Sequence, residues 1–167
     1  MSADIDESVH GGESAVDYVE RMAIEKAQVC AVPGRITLTA DTIVAIDGDI
    51  LGKPQDEADA VQMLMRLSGR RHEVMTAVAV SDGVRVECAV VTTTVEFIEI
   101  PQAVARRYWA SGECRDKAGG YGIQGIGGIF AKSIEGSYSA VVGLPLVETE
   151  RLLTRFEVDT WRRRING

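Results

Sequence analysis

A chain of 167 residues is long enough for one domain with a substantial core. Its net charge of −7, with no basic face, excludes a general nucleic-acid binder. Three cysteines, Cys30, Cys88 and Cys114, form no Cys-x-x-Cys pair and indicate neither a disulfide framework nor a zinc knuckle, and with no signal peptide or membrane-length apolar run in view the expected compartment is the cytoplasm.

The first twelve residues read as polar, irregular chain carrying Asp4, Asp6 and Glu7. Ser14 followed by Asp17 predicts a helix N-cap. Val16, Val19, Ala23, Ala27 and Cys30 then keep helical spacing, and Pro33-Gly34 stops the helix. Ile36 to Ile46 is β-branched and predicts a strand, turning at Asp47-Gly48 into Ile50-Leu51. A second helix is expected over Glu57 to Leu67, with Gly69 just past its end. Val74 to Val80 and Val84 to Ile98 predict a hairpin across Asp82-Gly83. Pro101 suits the first turn of a third helix, ending near Ser111-Gly112. Ile129 to Ile134 and Tyr138 to Val142 read as a hairpin across Glu135-Gly136, and Leu146 to Phe156 as a last helix. The run Arg162-Arg163-Arg164 reads as a solvated tail. Helices alternating with hairpins predict an α/β or α+β class with a mixed sheet.

Between the third helix and the last hairpin lies the most informative stretch, Asp116-Lys117-Ala118-Gly119-Gly120-Tyr121-Gly122-Ile123-Gln124-Gly125. Six of the ten residues from Gly119 to Gly128 are glycine, so main-chain N–H groups can approach a ligand closely. A lysine at the entry supplies a point charge suited to phosphate. A mobile surface loop is the plain alternative, and the Asp-Lys entry with an internal Ile-Gln favours a phosphate or nucleotide site.

Asp41 stands inside an otherwise apolar strand, where a carboxylate is costly unless paired or on a metal. A solvated strand-edge residue is the ordinary alternative. Lys26 and Lys53, the latter in Gly52-Lys53-Pro54, would singly be surface lysines. Together Glu7, Asp41, Lys26, Lys53, Asp116 and Lys117 form a set of acids and lysines without a histidine pair. That set suits phosphate chemistry assisted by Mg²⁺, which takes one or two carboxylates and substrate phosphates. His72 stands alone and reads as structural, and neither a Ser-His-Asp order nor a Walker or Rossmann glycine fingerprint occurs.

At these residues the chain resembles the Maf family of nucleoside triphosphate pyrophosphatases. The resemblance runs from Ile5 to Phe156. It is carried by Asp6-Glu7, Lys26-Ala27, Ala40-Asp41-Thr42, Gly52-Lys53-Pro54, Ser111-Gly112-Glu113, Asp116-Lys117-Ala118-Gly119, Tyr121-Gly122-Ile123-Gln124-Gly125 and Val142-Gly143-Leu144-Pro145. It implies one α/β domain over residues 1–167, a mixed twisted sheet flanked by helices with a nucleotide cleft. It also implies a cytoplasmic enzyme that splits a nucleoside triphosphate between its α and β phosphates, with Mg²⁺ or Mn²⁺. Asp41-Thr42 and Ile123-Gln124-Gly125 resemble the branch acting on dTTP and UTP. Asp41 would be the general base and Glu7, with Asp41, would hold the metal. Lys26, Lys53, Asp116 and Lys117 would attend the phosphates, and Thr42 and Gln124 would read the base. The family's opening strand, Ser-x-Ser-Pro-Arg-Arg and following helix have no counterpart in these residues. The resemblance therefore implies an uncovered sheet edge, a place for dimerisation, and weaker activity. A catalytically inactive nucleotide-binding or regulatory protein affecting cell division is the rival reading.

Overall fold

The structure is a computed structural model, and it describes residues 5–165. Asp4 of the expected polar segment lies outside the described residues. Helix α1 spans Ala15–Val29. Ser14 caps it as the sequence predicts, its hydroxyl accepting the Asp17 N–H at 3.2 Å. The buried stripe is Tyr18, Val19, Met22, Ala23 and Ala27, while Val16 is exposed and Cys30 only half-buried. The stripe is thus rotated from the one expected, because Tyr18 and Met22 supply the larger apolar surfaces.

Strands β1 (Thr37–Ile46) and β2 (Asp49–Leu51) form the expected hairpin, with Asp47 and Gly48 both at positive φ. Helix α2 (Glu57–Leu67) is capped by Asp56 and followed by Gly69 at φ +67°. Strands β3 (Arg71–Ser81) and β4 (Val86–Phe97) make the long central hairpin. Helix α3 covers Gln102–Ala110. Two short 3-10 turns, Ala118–Gly120 and Ile126–Phe130, occupy the glycine-rich stretch and lead to β5 (Ala131–Glu135).

The expected hairpin partner of β5 is not a strand. Tyr138–Val142 is a short helix, α4, and β5 pairs with β4 instead. Ser137 supplies the reason, since its hydroxyl accepts the Ala140 N–H at 3.2 Å and starts a helical turn. Thr93 anchors the approach by accepting the Ser137 N–H at 3.0 Å. Gly143, at φ +119°, ends the turn. Helix α5 (Leu146–Arg155) follows as predicted, and the arginine run expected to be a tail falls in a further helix, α6 (Thr160–Ile165).

The sheet order is β2-β1-β3-β4-β5. The α/β architecture of a sheet flanked by helices is the one expected. In detail the pairings among the described residues are all antiparallel: β1–β2 and β3–β4 are hairpins, while the longer connections, through β2 and α2 between β1 and β3 and through α3 between β4 and β5, also return the chain antiparallel. α1 covers one face, packing on Ile43, Ala45, Met75, Ala77 and Ala79. The other face carries Val44, Val74, Val95 and Phe97 against α2, α3 and the aromatic residues Tyr108, Tyr121 and Phe130. Val78 and Val80, further along the same face, meet Leu152 and Phe156, which lie in and just past the helix Leu146–Arg155. Each such side chain contributes about 1.5–3 kcal/mol when fully buried. β2 pairs only with Val44, Ala45 and Ile46, so from Thr37 to Ile43 the outer side of β1 has no strand partner among the described residues.

Candidate active site

Alternation along β1 sends Asp41 to the α1 face and Thr42 to the opposite face. Each becomes the centre of a cluster. On the α1 side, the Lys26 ammonium lies 2.5 Å from Asp41 Oδ1 and 3.2 Å from Glu7 Oε1. Burial would lower the Lys26 pKa, but the hydrogen bond to Asp41 and the charges of Asp41 and Glu7 outweigh it, so the group is held above its ordinary value. The structure therefore brings together Glu7, Lys26 and Asp41, which are far apart in sequence.

Glu7 sits on irregular chain, and other residues hold that chain in place. Tyr18 donates its hydroxyl to the Glu7 carbonyl at 2.9 Å. Arg21 grips Glu13 through two nitrogens, at 2.7 and 2.9 Å, and donates to the Ser8 carbonyl at 2.8 Å. Its guanidinium, with the His10 N–H, draws the Glu13 carboxyl down to about 2. Sequence reasoning missed Tyr18 as a tether, and missed Arg21 and Glu13. An arginine two turns into a helix, eight residues after a glutamate, was the available signal.

On the opposite face Thr42 and Val44 floor a cleft of about 210 Å³, with Lys53, Asp116 and Lys117 among its walls. The Gly119 N–H donates to the Gly52 carbonyl at 3.0 Å, tying the segment of Lys53 to that of Lys117. Lys117 pairs with Asp116 at 2.9 Å, and that bond holds the Asp116 carboxyl below its usual range. A second hollow of about 300 Å³ adjoins the first, sharing Lys117, Tyr121 and Ile123, and Gln124 lies on its wall. Gln124 is exposed, and its amide has no partner among the described residues. The Thr42 hydroxyl is 2.9 Å from that of Thr76, its cross-strand neighbour, and Thr76 donates to the Ala140 carbonyl at 2.6 Å.

The predicted residues thus fall into two groups. Glu7, Lys26 and Asp41 form one, and Thr42, Lys53, Asp116, Lys117 and Gln124 line the other. No hydrogen bond or ion pair among the described residues joins them. Asp41 and Thr42 join the two groups as neighbours on β1, in the stretch that has no outer strand partner among the described residues. His72 is buried, 2.8 Å from the Tyr121 hydroxyl and edge-on to Phe97, and burial lowers its pKa to about 4.

No three His, Cys, Asp or Glu side chains among the described residues form a metal-holding group. Glu7 and Asp41 nevertheless direct two carboxylates at one cationic centre, the Lys26 ammonium. Such a donor pair fits a hard cation that takes its other ligands from phosphate and water.

The family described as Maf, Maf-like protein, matches residues 1–156. A dTTP/UTP pyrophosphatase of Hahella chejuensis is 54% identical over 168 residues, covering 96% of this chain and 82% of its own length. Its counterpart in Pseudoalteromonas atlantica is 49% identical over 164 residues, covering 95% and 85%. That of Saccharophagus degradans is 48% identical over 168 residues, covering 97% and 80%. The chain belongs to the Maf family.

Proposed function

We propose that this Maf-family chain is a nucleoside triphosphate pyrophosphatase that hydrolyses dTTP and UTP to the monophosphate and pyrophosphate, within one domain that carries the whole site. The observation that carries the reading is Asp41, fixed by Lys26 beside Glu7, one residue along the strand from the Thr42 that floors the cleft. The relatives' names supply the substrates.

The base lies in the cleft on the Thr42 face, with the phosphates toward the lysines. Lys26 engages Asp41 Oδ1, which sets the carboxylate's direction and leaves Oδ2 to accept a proton from water. That water attacks the α phosphorus, the bond to the bridging α–β oxygen breaks, and pyrophosphate leaves. Lys53 and Lys117 offset the charge that develops on the phosphate oxygens. Glu7, with Asp41, would hold a divalent cation, which when bound neutralises phosphate charge and sharpens the attacking water. Thr42 and Gln124 read the base. Gln124 has a free amide that can donate to the O4 of thymine or uracil.

Release of pyrophosphate from dTTP with Mg²⁺ tests this. The wild-type chain should turn over, and Asp41→Asn should lose about 10²–10⁴-fold in kcat, the range of a general base. Binding of dTTP without release by the wild-type chain would support the rival, an inactive nucleotide-binding protein.

A further inference from the structure

Thr76 is wholly buried and lies outside the cleft, yet it decides what the cleft offers to a base. A threonine hydroxyl has one proton to give. The Ala140 carbonyl, 2.6 Å from the Thr76 hydroxyl, can only accept, so the Thr76 proton is committed there. The Thr42 hydroxyl, 2.9 Å away on the other side, must then donate to Thr76. The chain of bonds runs one way, from Thr42 through Thr76 to the Ala140 carbonyl in the middle of α4. Its direction is set by a backbone carbonyl, which has no alternative polarity.

We propose that Thr76 is a positioning residue for substrate choice, which locks the Thr42 hydroxyl as an acceptor and so selects bases that present an N–H. This rests on the reading of Thr42 as a base contact. The N3 position of thymine and uracil carries a hydrogen and can donate to Thr42. The N3 of cytosine carries a lone pair, which would face the lone pairs of Thr42. The relay therefore favours dTTP and UTP over CTP at a point that Gln124 does not read, since an amide can present either polarity to a base edge.

The structure around the relay tolerates its removal. Gly143 also donates its N–H to the Ala140 carbonyl, at 2.9 Å, so α4 keeps a closing bond when the Thr76 hydroxyl is gone. In Thr76→Val the shape is retained, the Thr42 proton loses its partner, and the hydroxyl turns freely. It can then donate to cytosine N3.

The test is the ratio of kcat/KM for dTTP to that for CTP. Thr76→Val should lower it by at least about tenfold, the scale of one mismatched hydrogen bond. Thr76→Ser, which restores the hydroxyl, should return it to within about twofold of wild type. An unchanged ratio in Thr76→Val, beside a changed ratio in Thr42→Val, overturns the inference and leaves Thr42 as a base contact. An unchanged ratio in Thr42→Val removes the base contact itself and the inference with it. Should Thr76→Val fail to fold, NMR of the wild-type chain decides. The slowly exchanging Thr76 hydroxyl proton should show contacts to Ala140, and its finding directed at Thr42 would overturn the proposal.

Discussion

Glu113 accepts the Tyr108 hydroxyl at 2.7 Å, and the pair together holds the loop that carries Gln124. The same carboxylate accepts the N–H groups of Ile126 at 2.8 Å and Gly127 at 2.9 Å, while the Tyr108 oxygen accepts that of Gly122 at 2.9 Å. The bond from Gly127 leads the causes that keep the Glu113 carboxyl below its usual range. A side chain on Gly125 would stand 2.1 Å from Glu113, and one on Gly127 2.5 Å from the Tyr108 hydroxyl. Those glycines are there because the loop closes directly upon this pair.

Glu113→Gln should therefore disturb the site more than its single-atom change suggests. The amide nitrogen would face a backbone N–H, so one donor is left against another. We expect kcat/KM for dTTP to fall roughly tenfold or more, with KM carrying most of the change because Gln124 moves. A loss confined to kcat would place Glu113 among the groups that touch the phosphates instead.

Gly119 and Gly120 offer a matched comparison. Both hold positive φ, +69° and +70°. A Cβ on Gly119 would lie 2.9 Å from three carbons of Val44, on the cleft floor, whereas one on Gly120 would meet nothing closer than 3.8 Å. Gly120→Ala should cost only the left-handed backbone penalty, about 1–2 kcal/mol. Gly119→Ala adds a clash of about 1–3 kcal/mol and displaces the segment beside Lys117. Denaturant midpoints would check the order, and equal costs would mean that Val44 yields freely.

The parts legible in the sequence were those set by local chemistry. The Ser14 cap, the Asp47-Gly48 turn and the limits of α2 follow from side chains acting on their own backbone. Asp41 was legible because a carboxylate in an apolar strand needs a partner, and Lys26 is that partner. Tyr138–Val142 was misread since its apolar, β-branched run suits a strand, and only the cap at Ser137 and the Thr93 anchor, 44 residues away, decide for a helix. The separation of Asp41 and Thr42 onto two faces was implicit in alternation, but which helix covers which face depends on the whole packing. Thr76 stands in no motif, and although Glu113 belongs to Ser111-Gly112-Glu113, its hold on the loop could not be read there, because both side chains act on backbone groups distant in sequence.

His72 should leave a mark on the pH dependence of stability. Its Nδ1 is buried without a hydrogen-bond partner among the described residues, and burial pushes the ring from its ordinary 6.5 down to about 4. The unfolded chain therefore binds a proton below pH 6.5 that the folded chain refuses until about pH 4. Stability is unaffected above 6.5, falls as pH drops through that window, and levels off beneath it, a loss of roughly 3 kcal/mol. Urea titrations of the wild-type chain and His72→Gln should differ in slope between pH 6.5 and 4. Parallel curves would mean that the ring is charged in the folded state.

Gln124→Glu separates base reading from bracing of the loop. The side chain is exposed and free of partners among the described residues, so its replacement should cost little stability, within about 0.5 kcal/mol as for surface changes generally. Turnover of dTTP and UTP should fall far more. An ionised carboxylate has no proton to offer O4, and a site built around a polar contact rejects a partner that leaves it unmet, by up to about 10⁴–10⁵ in the strongest cases. The adjoining Lys117 gives the new carboxylate a cation to turn toward, away from the base, which deepens the loss. The measurement is kcat/KM for dTTP and UTP beside the thermal midpoint of the same preparation. An unchanged kcat/KM removes Gln124 from base recognition, and a lowered midpoint with broadened unfolding assigns it to the loop's own structure.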